Sequence, residues 1–209
     1  MNPPGSPKPV LRRRGEHVDV VLGNVVLLSS AALGTELDFG RMVKDFVPDA
    51  KRVLVGGLGF GATARGVLEA VPTARVIVVE KIPEIVAFVR GELAELSGRV
   101  LDDPRVELVQ DDVVDRLRAE SDLDAVLLDV DNGPDWASFR TNARLYAPFG
   151  LDLAKKALVP GGLYAVWSGY PADAFQGVLR SAGFSPRIVP FRERGVVRAR
   201  AYVGITTTA

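Results

Sequence analysis

The carboxylates Glu80, Asp111, Asp112, Asp129 and Asp131 come at or just beyond the ends of short runs of apolar β-formers. Side chains placed there stand at the carboxyl ends of strands, the edge at which open parallel sheets bind their ligands. The same edge receives Gly56-Gly57-Leu58-Gly59-Phe60-Gly61. Glycines ahead of a helix leave backbone N–H groups uncovered for a polar or anionic ligand group. An acid about twenty residues beyond such glycines is placed to bind two vicinal ribose hydroxyls, so Gly56, Gly57, Gly59, Gly61 and Glu80 read together as a nucleoside site. A tight turn and a solvated strand end are the plain alternatives.

The elements that hold these groups follow from hydrophobic periodicity. Arg52-Val53-Leu54-Val55 is a strand buried on both faces. Ala62, Ala64, Val67, Leu68 and Val71 then recur at helical spacing until Pro72. Further strands are expected at 75–80, 106–109, 123–129 and 163–167, with helices over 61–71, 83–96, 112–119, 149–158 and 172–182. Residues 185–189 and 198–205, joined by Gly195 without a helix, read as an antiparallel edge pair. Strands alternating with helices imply a Rossmann-like, doubly wound, mostly parallel seven-stranded sheet. Ahead of it, Val18–Leu22 and Val25–Leu28 read as a β-hairpin about Gly23-Asn24, and a short helix is expected to end before Pro48. Residues 1–48 are therefore expected to form a tail, hairpin and helix acting as a lid, and residues 49–209 the ligand-binding domain. Residues 1–10 read as a loose tail, and Arg12-Arg13-Arg14 as a solvated face.

Some candidates keep two readings. Asp112 can cap the helix that follows it or contact an adenine amine. Asp129, after Ala125-Val126-Leu127-Leu128, needs a partner if it is partly buried. The loop beyond it, Asp131-Asn132-Gly133-Pro134-Asp135-Trp136, adds polar groups beside an aromatic. Trp136, Phe139 and Tyr146 can be core or can hold a cation by cation–π attraction.

The chain of 209 residues is 47% hydrophobic and carries 26 basic and 26 acidic side chains. That balance gives no reason to expect nucleic acid or an acidic membrane as partner. The absence of cysteine excludes disulfides, thiolate metal sites and cysteine nucleophiles. A single histidine, His17, leaves no basis for a multi-histidine metal centre, and no metal is expected. No apolar run is long enough to span a bilayer and the N-terminus has no apolar signal core, so a cytoplasmic protein is expected.

The stretches VLVGGLGFGATAR, VVEKIPEIV, LDDPRVELVQDD, LDAVLLDVDNGP and KKALVPGGLYAV together resemble spermidine synthases, within the wider class of S-adenosylmethionine-dependent methyltransferase folds. The likeness runs over residues 18–168. It implies that Glu80, with Lys81 beside it, binds the ribose, and that Asp112, preceded by Asp111, binds the adenine amine. It further implies that Asp129 is the proton-accepting catalytic aspartate. From the loop itself, Asp131 and Asn132 are taken as its catalytic companions, and Asp131, Trp136 and Tyr146 as acceptor-binding residues. A homodimer is implied as well.

The departures bear on the reaction. Aligned on Thr63 and Arg65, the family's GGGDGG reads Gly57-Leu58-Gly59-Phe60-Gly61-Ala62, so Phe60 stands where an acid would hold the amine of decarboxylated S-adenosylmethionine. Asn132 stands at the second acid of the family's DxxDP loop. Leu27 and Phe39-Gly40-Arg41 stand where the family has glutamine and a tyrosine–His/Gln–glutamate segment. Intact S-adenosylmethionine carries a carboxylate that an adjacent aspartate would disfavour. The leading expectation is therefore methyl transfer from S-adenosylmethionine to a small acceptor, an amine among the candidates. The alternatives are aminopropyl transfer from decarboxylated S-adenosylmethionine to a polyamine, and a non-catalytic nucleoside-binding relative.

Overall fold

The computed structural model describes residues 8–130, 133–135 and 142–207. Its N-terminal strands β1 (Val10–Arg14), β2 (His17–Leu22) and β3 (Val25–Ser29) form a three-stranded antiparallel sheet in the order β1-β2-β3. The hairpin is as expected, and the basic run is the solvated face expected of it, carried on a strand: Arg12, Arg13 and Arg14 are exposed in β1, paired with β2. Arginines are tolerated there because this strand is largely solvent-exposed, and Arg14 Nε approaches the buried Asp19 at 3.3 Å. The expected short helix is two pieces, α1 (Leu33–Arg41) and α2 (Val43–Phe46), parted at Met42.

The large sheet begins with β4 (Arg52–Gly56), α3 (Ala62–Ala70), β5 (Arg75–Val79) and α4 (Pro83–Arg90). The pattern that suggested a helix to residue 96 breaks at Gly91, whose φ of −108° and ψ of −107° no helix can use. There follow β6 (Val106–Val109), α5 (Val113–Ala119), β7 (Leu123–Leu128), α6 (Ala143–Tyr146), α7 (Pro148–Ala157) and β8 (Leu158–Ser168). The chain ends in α8 (Phe175–Ser181), β9 (Ser185–Glu193) and β10 (Val196–Ile205). Strand β8 starts earlier than its apolar run. The register with β7 jumps from Leu123–Leu158 to Ala125–Leu163, so Pro160-Gly161-Gly162 is absorbed as an irregularity.

The order of the seven strands is β6-β5-β4-β7-β8-β10-β9. Pairings from β6 through β8 are parallel, and β10 runs antiparallel to both β8 and β9. One core lies between the sheet and α1–α4 with the N-terminal sheet; the other lies against α5, α7 and α8. Helices α1 and α3 cross at glycines. A Cβ on Gly40 would lie 2.1 Å from the Thr63 carbonyl oxygen, and one on Gly66 2.2 Å from that of Leu37. This close approach brings the start of α1 against the start of α3. Among the described residues no helix is long and apolar enough to cross a membrane.

Candidate active site

The parallel strands β4, β5 and β7 deliver the glycine loop, Glu80 and Asp129 to one edge of the sheet. The loop is bound into the strand ends, since Gly57 N–H donates to the Val79 carbonyl and Asp129 N–H to the Gly56 carbonyl, both at 2.8 Å. Gly57 has φ +92°, and a Cβ there would sit 2.2 Å from the Asp129 carbonyl oxygen. Only glycine closes that turn. Gly59 faces open space apart from Leu28 of β3, 3.9 Å from its virtual Cβ. The N-terminal sheet thus overhangs the loop.

Glu80 is buried, and its carboxylate accepts from Leu58 N–H at 3.1 Å and Ile82 N–H at 2.7 Å. Burial raises its pKa, against the pull of those backbone donors. Asp112 fulfils the capping reading, accepting from Val114 N–H at 3.0 Å at the start of α5. It is also paired with Lys81 at 2.9 Å and Arg144 at 2.7 Å. Burial alone would raise its pKa, but Lys81, the cap and Arg144 outweigh that and lower it. Asp111 is exposed and accepts from Asp112 N–H at 2.7 Å. Lys81 and Asp112, assigned from sequence to different parts of the nucleoside, are in contact, while Asp103, Pro104 and Arg105 of the LDDPR stretch stand apart. There Arg105 is paired with Asp103 and donates to the Leu68 and Pro72 carbonyls, pinning the turn before β6 to the end of α3.

At the end of β7, Asp129 Oδ2 accepts from Thr63 Oγ1 at 2.6 Å. The hydroxyl also lies 3.3 Å from the Glu36 carbonyl oxygen. Burial pushes the Asp129 carboxyl up to about 6 despite the Thr63 hydrogen bond. Glu36 on α1 is buried, and burial together with the charge of Asp129 raises its pKa well above the usual carboxylate range. Such a pair titrates jointly, one carboxyl holding a proton more easily than two can both ionise. Thr63 is suited to either state: it donates to an ionised Asp129, or accepts from a protonated one while turning its hydrogen to the Glu36 carbonyl.

Glu36 and Thr63 were not singled out from sequence. Thr63 follows the glycine loop as an ordinary helix residue would, and the only signal for Glu36 is its place three and four residues before Phe39 and Gly40 on the buried face of a short helix. Phe60, which stands at the position of the family's acid, lies in the core with 1% exposure. Tyr146 lies in the other core, edge-on to Phe175 at 6.1 Å, on the sheet face opposite the Thr63 hydroxyl. Asp131, Asn132, Trp136 and Phe139 lie outside the described residues. Gly133, at the far side of that loop, is packed against Ser168 of β8.

This arrangement is that of a methyltransferase-like Rossmann fold. The chain superposes on the spermidine synthase of Thermotoga maritima with a TM-score of 0.68 over 97% of this chain and 73% of that one, at 17% identity. An O-methyltransferase family protein from Burkholderia thailandensis gives a TM-score of 0.58 at 16% identity, over 86% of this chain and 58% of that one. In sequence the chain is 35% identical over 146 residues to a polyamine aminopropyltransferase of Mycobacterium tuberculosis, a match covering 65% of this chain and 27% of that protein. No protein-family model matches. The chain is thus a spermidine synthase-like protein, and it spans about a quarter to a half of the length of the curated relatives it matches.

Proposed function

We propose that the chain transfers an alkyl group from an adenosyl sulfonium to an amine, and that the group is aminopropyl, from decarboxylated S-adenosylmethionine. The observation that carries this is the buried Glu36–Asp129 pair beside the glycine loop. Two carboxyls kept in a dry site suit ammonium groups, and a base held at about 6 is ionised at neutral pH yet basic enough to take a proton. The names of the 31–35% identical relatives point the same way.

In this reading the Glu80 carboxylate oxygens accept from the ribose hydroxyls as well as from Leu58 and Ile82 N–H. Asp112, held by Lys81 and Arg144, faces the adenine amine, and the loop of Gly56, Gly57, Gly59 and Gly61 backs the nucleoside. The acceptor nitrogen attacks the carbon attached to sulfur. A C–N bond forms, the C–S pair returns to sulfur to leave methylthioadenosine, and the nitrogen's proton passes to the Asp129 carboxylate. Asp131 and Asn132 lie next along the chain from that base. In-line positioning of nitrogen, carbon and sulfur supplies much of the rate. Residues 1–48 act as the lid, with Leu28 over the loop as support.

Methyl transfer from intact S-adenosylmethionine is the second reading. It is favoured by the glycine loop, which contains no acid between Gly56 and Gly61 to repel a carboxylate. Incubation with each sulfonium and a panel of amines separates the two. Methylthioadenosine supports aminopropyl transfer and S-adenosylhomocysteine methyl transfer; neither product, with amine-dependent turnover absent throughout, defeats both.

A further inference from the structure

A cavity of about 480 Å³ opens between the N-terminal sheet and β8–β10, lined among others by His17, Ser29, Thr35, Trp167, Glu193 and Arg198. That is room for a small ligand. It adjoins the acid pair: Thr35 precedes Glu36 in α1, and Trp167 lies one residue beyond the Leu128–Val166 pairing, level with Asp129. Trp167 packs in the same core as Ala125 and Leu127 of β7, on the face where Asp129 meets Thr63.

The polar groups of this cavity are mismatched to a simple polyamine. Trp167 is 6% exposed, and its indole Nε1–H has no acceptor among the described residues. A buried donor left unmade is costly, and a ligand oxygen would relieve it. Arg198 makes only a loose 4.0 Å pairing with Glu193 among the described residues. The Glu193 carboxylate leans over the first turn of α1, with Oε1 3.0 Å from a virtual Cβ on Gly34, and keeps Arg198 at the rim. Indole and guanidinium are both donors. Ammonium groups on a methylene chain offer donors only, so a protonated polyamine leaves both unanswered and sets one cation against Arg198.

Building on the aminopropyl-transfer reading, we infer that the acceptor is an amine that also carries a carboxylate. Its nitrogen turns toward Asp129 and Glu36, and its carboxylate toward Trp167 Nε1 and Arg198. Charge and hydrogen-bonding sense are then complementary at both ends: acids meet the ammonium, donors meet the carboxylate.

The test is calorimetric titration of the full chain with ω-aminocarboxylates and α,ω-diamines of matched length, with and without methylthioadenosine. The expected result is at least a tenfold preference for an aminocarboxylate, since a ligand lacking acceptors leaves the Trp167 indole N–H unanswered beside Arg198. Trp167→Phe keeps the ring and removes the donor; Arg198→Met removes the cation from an exposed position. Each should collapse the preference while leaving methylthioadenosine affinity unchanged. Diamines binding as tightly, a preference that survives in Arg198→Met, or no binding of either series overturns the inference. Should Trp167→Phe fail to fold, Arg198→Met decides alone. If methylthioadenosine does not bind, the aminopropyl reading fails, and the preference measured on the free protein still decides this one.

Discussion

Replacing Asp129 by asparagine should stabilise the fold while removing turnover. An aspartate raised from its ordinary 3.8 to about 6 has an ionised form about 3 kcal/mol less favourable in the folded protein than in the unfolded chain. Between about pH 4 and 6 the folded protein keeps a proton that the unfolded chain has released. Stability from this group is therefore greatest in acid, falls as pH rises through that window, and is fully lost above it. The asparagine variant carries no such charge, and its side-chain oxygen still accepts from Thr63. Because Glu36 shares the proton, the gain should reach roughly 1–3 kcal/mol rather than the full figure. Urea denaturation of both proteins from acid to pH 8 reads it directly: the difference should be near zero at the acid end and open as pH rises. A variant less stable than wild type at pH 8, or a gap that is the same at every pH, would refute the burial argument. In the same protein turnover should fall by about 10²–10⁴ with nucleoside binding nearly intact, and retained turnover would falsify Asp129 as base.

The Thr63 hydroxyl lowers the Asp129 pKa, so Thr63→Val should shift the ascending limb of the pH–rate profile to higher pH; an unmoved limb removes Asp129 from that profile. Glu80→Ala should weaken nucleoside binding by roughly 1–3 kcal/mol, the scale of lost hydrogen bonds to a charged group, as measured by calorimetry. Gly66→Ala places a Cβ 2.2 Å from the Leu37 carbonyl and should lower the melting temperature by several degrees, roughly 1–3 kcal/mol of overpacking. Thermal unfolding unchanged from wild type would mean that α1 can shift off α3 at no cost.

Most of the large sheet is legible in the sequence because its strands are continuous apolar runs punctuated by glycine and acid. Val53–Val55, Val76–Val79 and Ala125–Leu128 are buried on both faces, and nothing competes with that pattern. The strand-end acids are legible for the same reason, since a charge after such a run has only the edge to occupy. The misses have local causes. Strand β1 is hidden because an exposed strand shows no apolar alternation, and its pairing comes from β2. The early start of β8 is hidden by Pro160 and the glycines after it, which signal a turn that the sheet absorbs. Phe60 stands in the motif where the family has an acid, and its aromatic side chain is buried in the core instead. Glu36 is legible only in three dimensions, because its neighbour Asp129 is far along the chain and the contact depends on how α1 crosses α3.

Where α1 and α3 meet at Gly40 and Gly66 there is no side-chain cushion to slide on, so Glu36 and Thr63 travel as one stiff block. The three-stranded sheet joins that block through the short turn at Ser30–Ala32. On the proposed reading, the proton-handling groups belong to this block and the acceptor's ceiling to the sheet laid over it. On the same proposed reading, substitutions in β1–β3 retune which amine is admitted without disturbing the carboxyl pair, which gives this scaffold a route to new acceptors at little risk to its chemistry.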